Sequence, residues 1–351
     1  MKIALVLPGS YWYCPYVKIY EDILKSQSIS CDIISWDRDG INENHIISFT
    51  CLFNPFSNRI KKLINYFKYR HFIAVQIRKN NYDKLIIFGP QMGLLLYALI
   101  KGKYNKKVFL DYRDISIEQI FKKRFKKLLE CCSKIAISSP GFKKVLPKGF
   151  IYIISHNINE SLLSNSWEIS SNYTKPFNQE RIVISTIGAI RDIGSNIELL
   201  NSLKNNEKFI IQFIGRGSEQ ISKLSPNISN AFYKGYYQKE DEHKFIVSTD
   251  FINIYYPHIT THSLALSNRF YNALVYKRPM IVTSNSIQGD YVENYKLGLA
   301  LDNCQNLEIK IQSYIKTFDF DEFTNNCNLL LEMFSTDFII FKSELINFIN
   351  E

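Results

Sequence analysis

The segment Lys2–Pro8 (KIALVLP) is an unbroken apolar run that stops at Pro-Gly, the pattern of a strand buried on both faces of a parallel sheet. A helical stretch, Tyr16–Ser26, follows, and then a second strand-like run, Cys31–Trp36. Further strand candidates are Leu85–Gly89, which feeds the apolar stretch Pro90–Ile100, and then Val108–Asp111, Lys134–Ser138 and Ile151–Ser155, with a basic helix near Ile117–Cys132. Strands alternating with helices predict a doubly wound domain over residues 1–160. Residues 161–180 are polar and carry no apolar period, so they read as a linker. The alternation restarts with Ile182–Ile187, a helix near Asn196–Leu203, Phe209–Ile214, Ala231–Tyr233, Asp250–Tyr255, a helix over Arg269–Val275, Met280–Thr283 and Leu299–Leu301. This defines a second domain over 181–320. A tail over 321–351, with a 3.6-residue apolar period from Phe320 to Asn350, is expected to pack back toward the first domain. The fold class predicted is α/β: two tandem Rossmann-like domains facing a central cleft, with C-terminal helices.

A length of 351 residues, beyond what one core usually organises, agrees with two domains. The chain is 46% hydrophobic and 14% aromatic, which excludes long disorder and fibrous repeats. Lys and Arg (43) outnumber Asp and Glu (33), a net charge of +10 that favours anionic partners. Seven scattered cysteines form neither a C-x-x-C nor a Cys/His zinc pattern, so reduced thiols are expected. The longest lipid-like stretch, Met92–Ile100, is about half of the ~20 residues that span a bilayer, and the N-terminal run is too short for a signal segment.

Ligands of open parallel sheets sit at the carboxyl ends of the strands. Here those ends carry Gly9, Gly89, Gly188, Gly215 and Gly235. Three of them in the second half mark it as the nucleotide side, although each is also an ordinary turn residue. The loop after the first strand, Gly9-Ser-Tyr-Trp-Tyr-Cys, lacks G-x-G-x-x-G, and no P-loop is present. Asp37, placed like a ribose-binding acid, is therefore read as a solvated loop residue.

The second half contains, in order, Ile187-Gly-Ala-Ile-Arg191, Phe213-Ile-Gly-Arg-Gly217, Tyr233-Lys-Gly-Tyr236, Thr249–Pro257 and Ser267–Ile281. The first half contains Asp111-Tyr-Arg-Asp114, Ile137–Phe142 and Ser155-His-Asn157. This series resembles the GT-B glycosyltransferases, especially the large retaining group called family four. The resemblance implies that the second domain binds a nucleotide-diphosphate sugar and the first an acceptor. Arg191 and Arg269 match positions that stabilise the leaving diphosphate, a task suited to the planar guanidinium fork. Gly188, Gly215, Gly235, Tyr236, Asn268 and Asn272 would line the donor site. The family's Glu for the ribose hydroxyls is replaced by Asn272, and the earlier acid of the pair by Leu264. On the acceptor side stand Gly9, Ser10, Tyr11, Asp111 and Asp114. Asp114 is the chosen group to orient or deprotonate the acceptor hydroxyl, Asp111 the second choice, and a helix cap is the competing role for Asp114.

No metal is predicted. The D-x-D triplets Asp37–Asp39 and Asp319–Asp321 do not follow a diphosphate-cradling strand, and His258 and His262 read as loop residues. No cofactor is expected beyond the nucleotide sugar as co-substrate. Basic segments near 59–70 and 121–129 mix Lys and Arg with aliphatic and aromatic residues, which suits an anionic membrane surface or a core-packed helix with a solvated basic face. No nucleic-acid motif accompanies them. The resemblance implies sugar transfer to a sugar or undecaprenyl-linked glycan in bacterial capsule, O-antigen or exopolysaccharide synthesis, metal-independent and retaining. The protein would be cytoplasmic and peripheral at the inner face of the cell membrane. The alternative is a catalytically degenerate chain of this fold that scaffolds a partner glycosyltransferase at the membrane, supported by the missing Glu.

Overall fold

Each strand candidate of the first half becomes a strand of one parallel sheet in the structure, a computed structural model that describes residues 1–41, 45–52, 58–158, 160–164 and 175–351. The strands are β1 (Lys2–Val6), β2 (Ser30–Asp37), β3 (Ile47–Thr50), β4 (Lys84–Phe88), β5 (Val108–Tyr112), β6 (Lys134–Ile137) and β7 (Ile153–Ile154). Their order is β3-β2-β1-β4-β5-β6-β7. The strand order reverses at β1, which pairs in parallel with β2 on one side and β4 on the other. Central strands are buried along nearly their whole length, as their mainly apolar sequences demand.

The second sheet comprises β8 (Ile182–Ile187), β9 (Phe209–Ile214), β10 (Ala231–Lys234), β11 (Phe251–Ile254), β12 (Met280–Thr283) and β13 (Gly298–Leu301), in the order β10-β9-β8-β11-β12-β13. All of its pairs are parallel. Its core gathers Leu199, Leu200, Leu203, Phe209, Phe213, Phe251 and Ile281 around the sheet.

The chain divides into two units: Met1–His156 with Asp337–Glu351, and Asn157–Thr336. The C-terminal helix Phe320–Asn350 thus gives its first turns to the second unit and its last turns to the first. In the first unit Phe341 meets Tyr20 edge-on at 5.1 Å, and Phe348 meets Phe109 at 5.6 Å. Lys84 Nζ donates to the carbonyls of Phe348 and Ile349, closing the helix end. Of the expected linker, residues 165–174 lie outside the described residues, and Glu160–Ser164 forms a short helix.

The two basic segments differ. Helix Arg59–Asn80 exposes Ile60, Leu63, Ile64 and Phe67. Helix Lys122–Cys131 instead buries Phe125, Leu128 and Leu129 in the core and leaves Lys122, Lys123, Lys126 and Lys127 in solvent. Among the described residues no helix is long and apolar enough to cross a membrane.

Candidate functional site

In the second unit three strand ends place glycines side by side. Gly188 follows β8 with φ +98°, Gly215 follows β9 with φ +131°, and Gly217 has φ +100°. The loops are joined by Gly188 N–H to the Ile214 carbonyl (2.9 Å) and Ile190 N–H to the Arg216 carbonyl (2.8 Å). A Cβ on Gly215 would stand 2.1 Å from the Gly188 oxygen, and one on Gly217 would stand 2.1 Å from the Ile190 oxygen. Backbone packs on backbone here, and only glycine fits. Gly235 is less constrained, since its added Cβ would meet only the Glu219 carboxylate tip at 2.5 Å.

Arg269 sits in the first turn of helix Asn268–Val275, whose N-cap Ser267 accepts from Phe270 N–H and donates to Gln288. Its side chain turns inward and is 8% exposed. Nε donates to the Ile187 carbonyl at 2.5 Å, Nη2 to the Ala189 carbonyl at 2.9 Å, and Nη1 to the Tyr256 hydroxyl at 3.2 Å. The resemblance implies a diphosphate contact for this guanidinium; in the structure it is hydrogen-bonded to the loop that carries Gly188. Arg191, just beyond that loop, is exposed, and its guanidinium has no hydrogen bond or ion pair among the described residues. The backbone amides of Ala189 and Arg191 likewise have no partner there. Immediately after them helix Ile193–Leu203 begins, with the unspent amides of its first turn.

Asn272, one turn after Asn268, donates to Glu242 Oε1 at 2.8 Å. Glu242 is buried in helix Glu242–Val247, and its other oxygen pairs with Lys239. Burial, reinforced by the neighbouring Glu242 carboxylate, raises the Tyr237 phenol above its ordinary range. The same hydroxyl would stand 3.9 Å from a Cβ on Gly188, so Tyr237, Glu242 and Asn272 adjoin the glycine loops. A carboxylate on another helix thus lies beside position 272. Asn268 is exposed and accepts from Asn157 Nδ2 at 2.6 Å. Tyr236 is exposed, with the Arg216 guanidinium 5.2 Å above its ring.

Sequence reasoning missed Tyr237, Glu242 and Tyr256. Tyr237 and Glu242 lie in Tyr237–His243, a polar and charged run that resembles any solvated loop. Their one signal is the strand-end Gly235 just before them. His262 belongs to helix Thr260–Leu264, not to a loop; it lies 3.1 Å from Asp192 and stacks on Tyr256 at 5.0 Å. His258 turns to the Asp302 carbonyl instead.

In the first unit, Asp111 is taken up by protein partners. It is wholly buried, accepts from Tyr20 at 2.7 Å, and forms an ion pair with Arg113 at 2.8 Å. Burial pushes its carboxyl above the ordinary range, and Arg113 draws it back only in part. Arg113 also donates to Ser155 at 2.8 Å, and its guanidinium lies 4.4 Å from the Tyr16 ring centre. Asp114 is exposed at the end of β5. The next helical turn is the 3-10 segment Ile117–Gln119 with Ser116 as its N-cap, so Asp114 does not cap it. Ser10 is buried, donates to the Trp36 carbonyl at 3.2 Å and accepts from Arg38 N–H at 3.1 Å. Tyr11 donates to Glu21 at 2.6 Å. A Cβ on Gly9 would make ordinary contact with Arg38, so that glycine is not sterically required.

The D-x-D triplets are turn builders. Asp37, buried and not solvated as expected, accepts the amides of Asp39, Gly40 and Ile41. Asp319 accepts those of Asp321 and Glu322. Among the described residues no three His, Cys, Asp or Glu side chains gather as metal ligands.

No protein-family model matches the chain, and no curated protein matches it in sequence. Solved structures match it from end to end. Sucrose-phosphate synthase from Thermosynechococcus elongatus superposes with a TM-score of 0.69 at 13% identity, covering 99% of each chain. HepE from Anabaena, solved with UDP and glucose, superposes with a TM-score of 0.62 at 13% identity over 100% of this chain and 99% of its own. The lipopolysaccharide outer core galactosyltransferase WaaB, in its apo form, gives 0.64 at 13% identity over 97% and 99%. The chain shares their fold, GT-B, with its two parallel sheets and C-terminal helix.

Proposed function

We propose that this protein is a glycosyltransferase whose second unit binds a nucleotide-diphosphate sugar and whose first unit binds a sugar or lipid-linked glycan acceptor. One observation carries the reading. The Gly188 loop is packed against Gly215 and Gly217 with its carbonyls turned into the protein, and the amides of Ala189 and Arg191 are left unspent among the described residues, beside an exposed guanidinium. Such a strand-to-helix loop suits an oxyanion, here a departing diphosphate. Arg191 supplies the exposed positive charge. Tyr237, Glu242 and Asn272 offer hydrogen-bonding groups beside it for donor hydroxyls. The GT-B fold, and a neighbour of that fold solved with UDP and glucose, support the donor class.

On the acceptor side, Asp114 is the exposed carboxylate at a strand end, and Trp12 and Tyr13 are 64% and 54% exposed on the turn after β1. Transfer proceeds without a divalent ion and with retention of configuration. The exposed Ile60, Leu63, Ile64 and Phe67, set among Lys61 and Lys68, suit docking at an anionic membrane carrying a lipid-linked acceptor of surface-polysaccharide assembly. The placement is cytoplasmic, at the inner face of the membrane.

Calorimetry of the full chain with UDP-, GDP-, ADP- and TDP-sugars tests the reading, with and without EDTA. Saturable heat with at least one donor, unchanged by the chelator, is expected. No saturable heat with any donor would favour the scaffold alternative.

A further inference from the structure

We propose that Arg269 is a positioning residue: it acts on a phosphate-bearing donor through the two carbonyls it holds, and does not touch the phosphate itself. This rests on the reading that the second unit binds a nucleoside diphosphate, and it assigns separate work to the two arginines.

The geometry argues for this division. Arg269 spends three of its nitrogens on protein acceptors and is almost wholly buried. Nε and Nη2 grip the carbonyls on either side of Gly188, those of Ile187 and Ala189. The two remaining carbonyl oxygens of the loop, on Gly188 and Ile190, press against Gly215 and Gly217. Four successive carbonyl oxygens are therefore held inside, and the negative ends of those peptide dipoles cannot face an incoming anion. The amide N–H groups of Gly188 and Ile190 are tied to the Ile214 and Arg216 carbonyls. Those of Ala189 and Arg191 are left to meet the ligand. A single guanidinium can bridge two carbonyls because its N–H groups diverge in a rigid plane; an ammonium is a point donor and cannot hold both in the same geometry. The positive group exposed to the ligand is instead Arg191.

Arg269→Lys separates this role from direct contact, because it keeps the charge and loses the bridge. Hydrogen exchange of segment 187–191 is measured in the ligand-free protein. Calorimetry then compares UDP, ADP, GDP and TDP with their nucleosides. The expected result is exchange in 187–191 faster by about tenfold or more, since a local clamp is lost. With it, nucleoside diphosphate affinity falls by about 10- to 100-fold, as a displaced binding group entails, while nucleoside affinity stays within about twofold of wild type, as for a site the change does not reach. Wild-type exchange with retained diphosphate affinity would overturn the proposal, and so would wild-type exchange with lost affinity, which would mark direct contact. Equal losses for nucleoside and diphosphate would also overturn it, by marking a general structural defect. If the wild-type protein bound none of the four diphosphates, the donor reading would fall and the proposal with it. Should Arg269→Lys not fold, Tyr256→Phe removes only the Nη1 bond. Faster exchange in 187–191 with weaker diphosphate binding then supports the proposal, and no change in either overturns it.

Discussion

Gly215→Ala isolates the backbone contact on which the candidate donor site is built. The added Cβ would stand 2.1 Å from the Gly188 oxygen, 2.7 Å from its carbonyl carbon and 3.2 Å from its Cα, at a backbone φ of +131°. Ordinary contacts between such atoms are near 3.5 Å, so one loop must retreat by about an ångström or more. Backbone held where a side chain is disfavoured costs about 1–3 kcal/mol. Weakening the bond from Gly188 N–H to Ile214 adds about 1 kcal/mol. A total of about 2–4 kcal/mol lowers the melting temperature of a unit of this size by roughly 5–15 °C. A cradle displaced by about an ångström loses on the order of 100-fold in turnover. Gly194→Ala is the control. Gly194 lies in helix Ile193–Leu203 with no heavy atom within 4 Å of an added Cβ, so alanine there is neutral or stabilising by up to about 1 kcal/mol. Calorimetric melting and nucleoside diphosphate titration of both variants provide the check. A Gly215→Ala protein that melts with wild type and binds the same nucleotide equally well would refute the packing argument.

Arg191→Ala is expected to weaken nucleoside diphosphate binding by about 10- to 100-fold, the worth of a charge-assisted contact, with no shift in melting, because the side chain bonds nothing among the described residues. Titration beside a melting curve reads both. Asp111→Ala leaves Arg113 buried without its counter-charge and should destabilise the first unit by about 3–5 kcal/mol in urea unfolding. The double change Asp111→Leu with Arg113→Met should recover most of that loss. His156 is buried and hydrogen-bonded to Asp337 at 2.9 Å; burial sets its pKa below the ordinary 6.5, and Asp337 opposes this only in part. Folding therefore favours neutral imidazole, so stability present above pH 6.5 is lost as pH falls from 6.5 through the lower folded value. Melting curves across that window should slope for wild type and flatten for His156→Gln.

The sheets were readable because strands buried on both faces are written almost wholly in Ile, Leu, Val and Phe, bounded by Gly or Pro. Run after run, from Lys2–Val6 to Met280–Thr283, lies within a residue or two of its expected place. Gly188 and Gly215 could be named as well, since strand-end glycine is a local feature. The direction a side chain takes was not readable. Asp111 and Asp114 look equivalent in the sequence, yet Tyr20, ninety-one positions earlier, takes up the first and leaves the second exposed. Arg269 carries the residue type that a diphosphate wants, but its nearest oxygens are carbonyls eighty or more positions away. Glu242 was hidden for the opposite reason: among Lys239, Glu240 and Asp241 nothing local shows which of these charges is buried.

The order of synthesis gives the C-terminal helix a further consequence. Its turns at Asp337–Glu351 complete the core of the first unit, yet they are translated only after the whole of the second. Phe109 and Lys84 must therefore wait for Phe348 and its neighbours while the intervening chain leaves the ribosome. During that interval the nascent N-terminal half presents an open aromatic surface, the kind of surface that chaperones cover.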